Sequence, residues 1–280
     1  MTAAVDGSLL APTGSRRGGR HRRPDTAGTL TGAGRQWLAL SGRNLHTMVV
    51  YGQFFVAVLA PLIFTVGFYL PLRLVMRFQG IDYAQFVMPI IVLQAMAFTA
   101  ISAAHRAATE ASNGMNSRFQ TMPVTTGVPL AARMTASLAH ATVSLTAALI
   151  YGHVIGFRFE SGLRDAVLFC VFALLVAFVL TTAADALGSL VRRPEITSQT
   201  LTIPQLVLGM FSAGFVPVTQ FPEWAQGFVR NQPISQFSIS MRAMADGSIT
   251  WHLATPSLLW CVGLLAVFVP LAVWANVRRG

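Results

Sequence analysis

The chain has no lysine; its 20 basic residues are all arginine. A phosphate-binding loop of the form G-x-x-x-x-G-K-[S/T] needs that lysine to reach the terminal phosphates. Nucleotide hydrolysis is therefore excluded here, and any ATP and Mg2+ must sit on a partner. No cofactor is expected on this chain itself. No H-E-x-x-H or C-x-x-C pattern occurs, and Cys170 and Cys261 lie in separate apolar runs. The two thiols read as packing residues rather than as a disulfide or metal site. Charge is scarce as well. Only 11% of residues are charged and 54% are hydrophobic, against about 25% charged in a soluble domain. With a mean hydropathy of +0.58, the chain reads as an all-α integral membrane protein, and no catalytic cluster of nucleophile, acid or metal ligands marks it as an enzyme.

What is present begins with a basic tail, residues 1–33, where Arg16, Arg17, Arg20, Arg22 and Arg23 cluster among Gly, Ser and Thr. No apolar stretch follows them, so the tail does not read as a signal peptide. It reads as disordered and drawn to anionic membrane lipids, and the lack of interleaved aromatics argues against nucleic acid. "RQWLALSGRNLHT", 35–47, mixes Trp37 and leucines with arginines and suits a helix lying in the membrane interface. Six spans are expected in the region 34–280, at about 48–70, 85–104, 130–155, 165–190, 196–216 and 253–275. Each approaches the roughly 20 residues that a hydrocarbon layer requires. Prolines at 61, 89, 204 and 270 are tolerable where neighbouring helices satisfy the freed carbonyls. Arginine is concentrated in the tail and at positions 35, 43, 106, 118, 133, 192, 193, 278 and 279, which fall on one side of the expected spans. By the positive-inside rule both termini are cytoplasmic, in a multi-pass cell-membrane protein.

Two interruptions carry chemistry. In "NSRFQTMPVTTGVPLAAR", residues 116–133, and the Met115 just before it, Met115, Phe119 and Met122 fall on one helical face beside Arg118, and Pro123 ends the helix. Such a face on a cytoplasmic loop either docks into a protein partner or packs back on the chain's own helix ends. The second is "PVTQFPEWAQGFVRNQPISQFSISMRAMADGS", 217–248. Pro222 starts a short helix bearing Trp224 and Phe228. Past Pro233 comes a second helix with Ile234, Phe237, Met241 and Met244 on one stripe, and Arg242 and Asp246 spaced to pair. The segment is a hairpin re-entering the outer leaflet or a compact external loop.

Together these two stretches resemble the signature regions of the type-2 ABC exporter permeases, in particular the branch of daunorubicin-resistance and phthiocerol dimycocerosate exporters. The likeness spans about 35–280. It implies a pore half with an interfacial helix before span 1 and a re-entrant outer hairpin before the last span. It also implies a coupling helix (Met115, Arg118, Phe119, Met122, Pro123) docked into an ABC ATPase. The expected assembly has two ATPase copies and a second, homologous or identical permease subunit. Ahead of the coupling helix, "HRAATEASNG" holds one carboxylate, Glu110, where many relatives are more acidic.

Asp185 is the ionisable candidate within a span, open to a gating role or to local pairing near Arg192. His140, His153, Gln94 and Gln205 read as pathway-lining groups or as interhelical hydrogen-bond formers. No series of buried carboxylates and histidines suggests a proton-driven carrier. The expected function is export of a hydrophobic substrate, a lipid or an anthracycline-like polyketide, as in drug efflux and antibiotic resistance. A secondary carrier or a membrane scaffold without an ATPase partner is the alternative.

Overall fold

The computed structural model describes residues 27–78, 80–113, 127–160, 162–191 and 193–278, and among them helix is the only regular structure. Helix α1, Ala27–Val50, runs over the stretch expected at the interface. It stops at Gly52, whose φ of 66° suits a residue without a Cβ. Helix α2, Gln53–Phe78, follows directly. Pro61 lies inside it and has no N–H, which leaves the Ala57 carbonyl without its usual helical donor. The Ser144 hydroxyl, from a neighbouring helix, donates to that carbonyl at 2.9 Å.

Helix α3, Tyr83–Ser112, begins where the Asp82 carboxylate accepts from the Ala84 N–H. Helices α4, Val128–Ile155, and α5, Leu163–Val191, pack against it. α3 is the axis of the bundle, since 72% of its apolar window is buried, against 22% for α2. Its contact with α5 is close because small residues face each other: Ala100, Ala104 and Ala184 form a cluster, and a Cβ on Gly188 would stand 2.3 Å from the Ala104 carbonyl oxygen.

Helices α6, Pro194–Met210, α7, Glu223–Asn231, α8, Pro233–Ala245, and α9, Trp251–Arg278, complete the chain. Among the described residues, five helices, α2 to α5 and α9, are long and apolar enough to cross a membrane. α6 has 17 residues, roughly 25 Å, short of a hydrocarbon layer of about 30 Å. Over 211–216, where the sequence suggested continued helix, the backbone is irregular. The Ser212 hydroxyl donates to the Gly209 carbonyl at 2.6 Å and accepts from the Gly214 N–H at 3.2 Å, a local alternative to the helical ladder.

Side chains from α8, its N-cap and α3 satisfy this irregular stretch. Gln232 donates to the Leu208 carbonyl at 3.2 Å and also to that of Phe211. Ser235 accepts from the Ala213 N–H at 2.9 Å, and Tyr83 donates to the Phe215 carbonyl at 3.4 Å. Buried non-helical backbone survives only with such partners. The bundle thus has two polar ends. The near end carries Ser112, Val128, Val191 and Pro194, and the far end carries Phe78, Tyr83, Ile155, Leu163 and the α7–α8 hairpin.

Candidate functional site

At the near end, Asp185 on α5 is 1% exposed. A carboxylate this buried needs a partner, and α4 supplies one. Arg133 Nε and Nη2 each donate to the two carboxylate oxygens at 2.9 Å, a bidentate fork. Its Nη1 donates to Glu110 Oε2 on α3 at 3.2 Å. One guanidinium therefore ties α3, α4 and α5. Counting about 1.5 Å per residue, Asp185 lies about 33 Å along α5 from its far end, toward the near end of the bundle.

Beside it opens a cavity of about 670 Å³ between α1, α2, α3, α4 and α5, bordered by Arg43, Tyr51, Arg106, Glu110, Arg133 and Asp185. Arg106 donates to Gln53 Oε1 at 2.8 Å and to the Ser137 hydroxyl at 3.0 Å. His140 bonds the Gln53 carbonyl at 3.1 Å. A carbonyl only accepts, so Nε2 carries the proton there. Trp37 on α1 donates to Thr135 at 3.1 Å, and His105 meets Ser198 on α6 at 3.2 Å. The near end is a polar seam running from α1 to α6.

At the far end, the Phe237 and Met241 side chains face inward, with Phe237 edge-on to Phe172 at 6.1 Å. Pro233 opens α8, where its missing N–H costs nothing. Trp224 and Phe228 point away from the bundle, 85% and 59% exposed. Arg242 does not form the expected i,i+4 pair with Asp246. Its guanidinium lies 3.8 Å over the Phe86 ring and donates to the Phe86 carbonyl at 2.9 Å. Burial, and next the nearby Glu160, push the Asp246 carboxyl above its usual pKa.

Asp185 is paired across helices with Arg133 rather than with a charge on its own segment, and Glu110 faces that same arginine. Arg133, Arg106, Gln53 and Ser137 were not singled out by sequence reasoning. The available signal was an arginine inside the first turns of an expected span. Met115, Arg118, Phe119, Met122 and Pro123 lie outside the described residues, although Asn113, just before them, borders the cavity. His140 and the bonded Gln94–Gln205 pair act as interhelical ties, and His153 is exposed. No cluster of three metal-ligating groups occurs among the described residues.

An all-helical bundle of this kind, matched over residues 70–274 by the ABC-2 family transporter protein model, belongs to that family. It is a membrane subunit of an ABC transporter, not an enzyme; the ATPase is a separate subunit. The chain is 36% identical over 260 residues to the doxorubicin resistance ABC transporter permease protein DrrB of Mycobacterium tuberculosis, covering 88% of this chain and 90% of that one. It is 30% identical over 169 residues to the probable doxorubicin resistance ABC transporter permease protein DrrC of the same organism, covering 59% of each chain. It is also 28% identical over 193 residues to the daunorubicin resistance ABC transporter permease protein DrrB1 of Streptomyces coeruleorubidus, covering 68% of this chain and 67% of that one.

Proposed function

We propose that this chain is the pore-forming half of an ATP-driven exporter of a hydrophobic molecule, a lipid or an anthracycline-like polyketide. It works with two copies of an ABC ATPase and a second permease. In this reading α6 with the irregular stretch after it is a sixth crossing, and both termini are cytoplasmic. α1 is the interfacial helix, and α7–α8 is a re-entrant outer gate. The segment around 113–122 receives the ATPase stroke through Met115, Arg118, Phe119 and Met122, with Pro123 ending it. Asp185 belongs to the gating machinery through its tie to Arg133.

The observation that supports this best is the Arg133–Asp185–Glu110 knot, which binds three helices at the end where the 114–126 segment departs. A push on that segment reaches α3 and α4, and the knot passes it to α5. The names of the relatives, with their doxorubicin and daunorubicin resistance, support an anthracycline as one cargo.

The test is reconstitution in vesicles with the candidate ATPase, with doxorubicin movement followed by its fluorescence. Transport is expected only with ATP and an intact ATPase; movement by this subunit unaided would make it a carrier instead. Arg118→Glu with Phe119→Ala should lower ATPase co-purification several-fold. Unchanged association would remove the coupling role.

A further inference from the structure

The last two turns of α2 carry two arginines that the bundle does not use. Arg73 and Arg77 stand one turn apart, both exposed, on a recess of about 380 Å³ between the end of α2 and the start of α3. Asp82 is the carboxylate on that lining, and its Oδ1 caps α3 by accepting from the Ala84 N–H at 3.1 Å. Two guanidiniums against one carboxylate leave an excess of one positive charge. Among the described residues neither arginine side chain donates a hydrogen bond or lies within ion-pair distance of a carboxylate. Arg73 has the Tyr69 ring, whose centre lies 6.0 Å from its guanidinium carbon. The phenols on the lining are spent elsewhere: Tyr69 donates to the Ile155 carbonyl at 3.2 Å and Tyr83 to that of Phe215 at 3.4 Å.

Like charges one helical turn apart repel, yet the backbone brings this pair to the recess. Residues Thr65–Tyr69 form a π-helical turn inside α2, and wide turns of this kind gather at functional sites. One extra residue in a turn rotates all that follows by about 100°. The widened turn therefore sets which face of the last two turns meets α3, and that face bears both arginines. The adjoining stripe of α2 is apolar and bare: Leu70, Leu74 and Phe78 are 48%, 58% and 92% exposed. Leu74 also lines the recess. Arginines near the end of a crossing helix reach for the headgroup layer, and exposed leucines beside them suit acyl chains. A ligand that satisfies both has an anionic head on an apolar body.

We infer that this far-end recess binds the phosphodiester of one anionic membrane lipid between Arg73 and Arg77, with the acyl chains along Leu70 and Leu74. A phosphodiester carries the one negative charge that the lining lacks, and guanidinium forks match its paired oxygens. It also relieves the repulsion between the two arginines. The site does not rest on the exporter reading.

The experiment is native mass spectrometry of the purified full chain with added lipid, read as occupancy by the first bound lipid. The probes are phosphatidylglycerol, phosphatidylcholine, diacylglycerol without a phosphate, and inorganic phosphate as competitor. Wild type should retain phosphatidylglycerol several-fold more than phosphatidylcholine, and diacylglycerol scarcely at all. Inorganic phosphate at matched concentration should not displace the lipid. Arg73→Gln with Arg77→Gln should lower phosphatidylglycerol occupancy about tenfold. Arg230→Gln, at the far end but off this lining, should leave it unchanged. Asp82→Asn keeps a capping residue and removes the opposing charge, so it should raise occupancy, a gain that a folding defect does not produce. Equal retention of diacylglycerol and phosphatidylglycerol by wild type overturns the proposal, as does a fall in a folded Asp82→Asn. An equal fall in Arg230→Gln and in the double variant overturns it in favour of diffuse attraction between arginine and anionic lipid. Displacement by inorganic phosphate overturns the lipid assignment in favour of a soluble phosphate. Unchanged binding by a folded double variant overturns the role of both arginines.

Discussion

Truncating Asp185 to alanine strips Arg133 of both of its 2.9 Å bonds to that carboxylate while the guanidinium remains buried at 7% exposure. Removing one partner of a buried ion pair costs about 3–5 kcal/mol, most of it the penalty of the charge left behind. Glu110 still reaches Arg133 at 3.2 Å and is itself partly exposed. The expected loss therefore lies at the lower end, about 3 kcal/mol. Arg133→Met should cost a similar amount, because it strands Asp185 at 1% exposure. The double variant removes both buried charges and should cost much less than the two losses together, a coupling energy of about 2–3 kcal/mol. Equilibrium unfolding in mixed micelles with a rising fraction of sodium dodecyl sulfate, read by circular dichroism, measures all four species. If the two single losses simply add within about 0.5 kcal/mol, the knot is not the unit described here.

Other expectations follow from particular contacts. Ser144→Ala leaves the Ala57 carbonyl unpartnered and should cost about 1–3 kcal/mol; Pro61→Ala in the same background returns an N–H to that carbonyl and should recover most of it in the same unfolding assay. Gly188→Leu forces side-chain atoms against the Ala104 carbonyl, and overpacking of this kind costs about 1–3 kcal/mol; a cysteine cross-link between the near ends of α3 and α5 should then form more slowly. Asp246→Asn tests the far end. A carboxyl whose folded pKa is raised contributes stability that is complete below its unfolded pKa, about 3.9, and is lost as pH rises through the folded value. Since Asp246 is so raised, the asparagine variant should be the more stable near neutral pH and level with wild type near pH 3. A gap of the opposite sign would mean that Arg242 dominates Asp246.

Hydropathy made the long helices legible because an apolar run of 20 or more residues has essentially one solution in lipid. Pro222 and Pro233 marked the starts of α7 and α8 for the same local reason, a fixed φ and a missing donor. The knot was not legible. Arg133 and Asp185 are 52 residues apart, and nothing in a single sequence signals which arginine crosses to which carboxylate. Charge counting at the membrane edge hid Arg133 further by treating it as one more loop cation. The Arg242–Asp246 expectation failed because i,i+4 spacing supplies proximity but not direction, and Phe86 with two backbone carbonyls offered the guanidinium a better surround. α6 was read as longer than it is because the residues after Met210 remain mostly apolar; what ends the helix is hydroxyl chemistry at Ser212.

The far-end hydrogen bonds constrain how this protein can open. Gln232, Ser235 and Arg242 complete the backbone of residues 208–213, so a hairpin swinging out alone would strip several buried peptide groups of their partners, each at a cost of about 1–3 kcal/mol. In the proposed gating, residues from about 205 to 245 travel as one plug, with Gly247, whose φ is 70°, as a knee ahead of the last helix. A cork of this sort cannot be unpicked thread by thread; it lifts whole or stays seated.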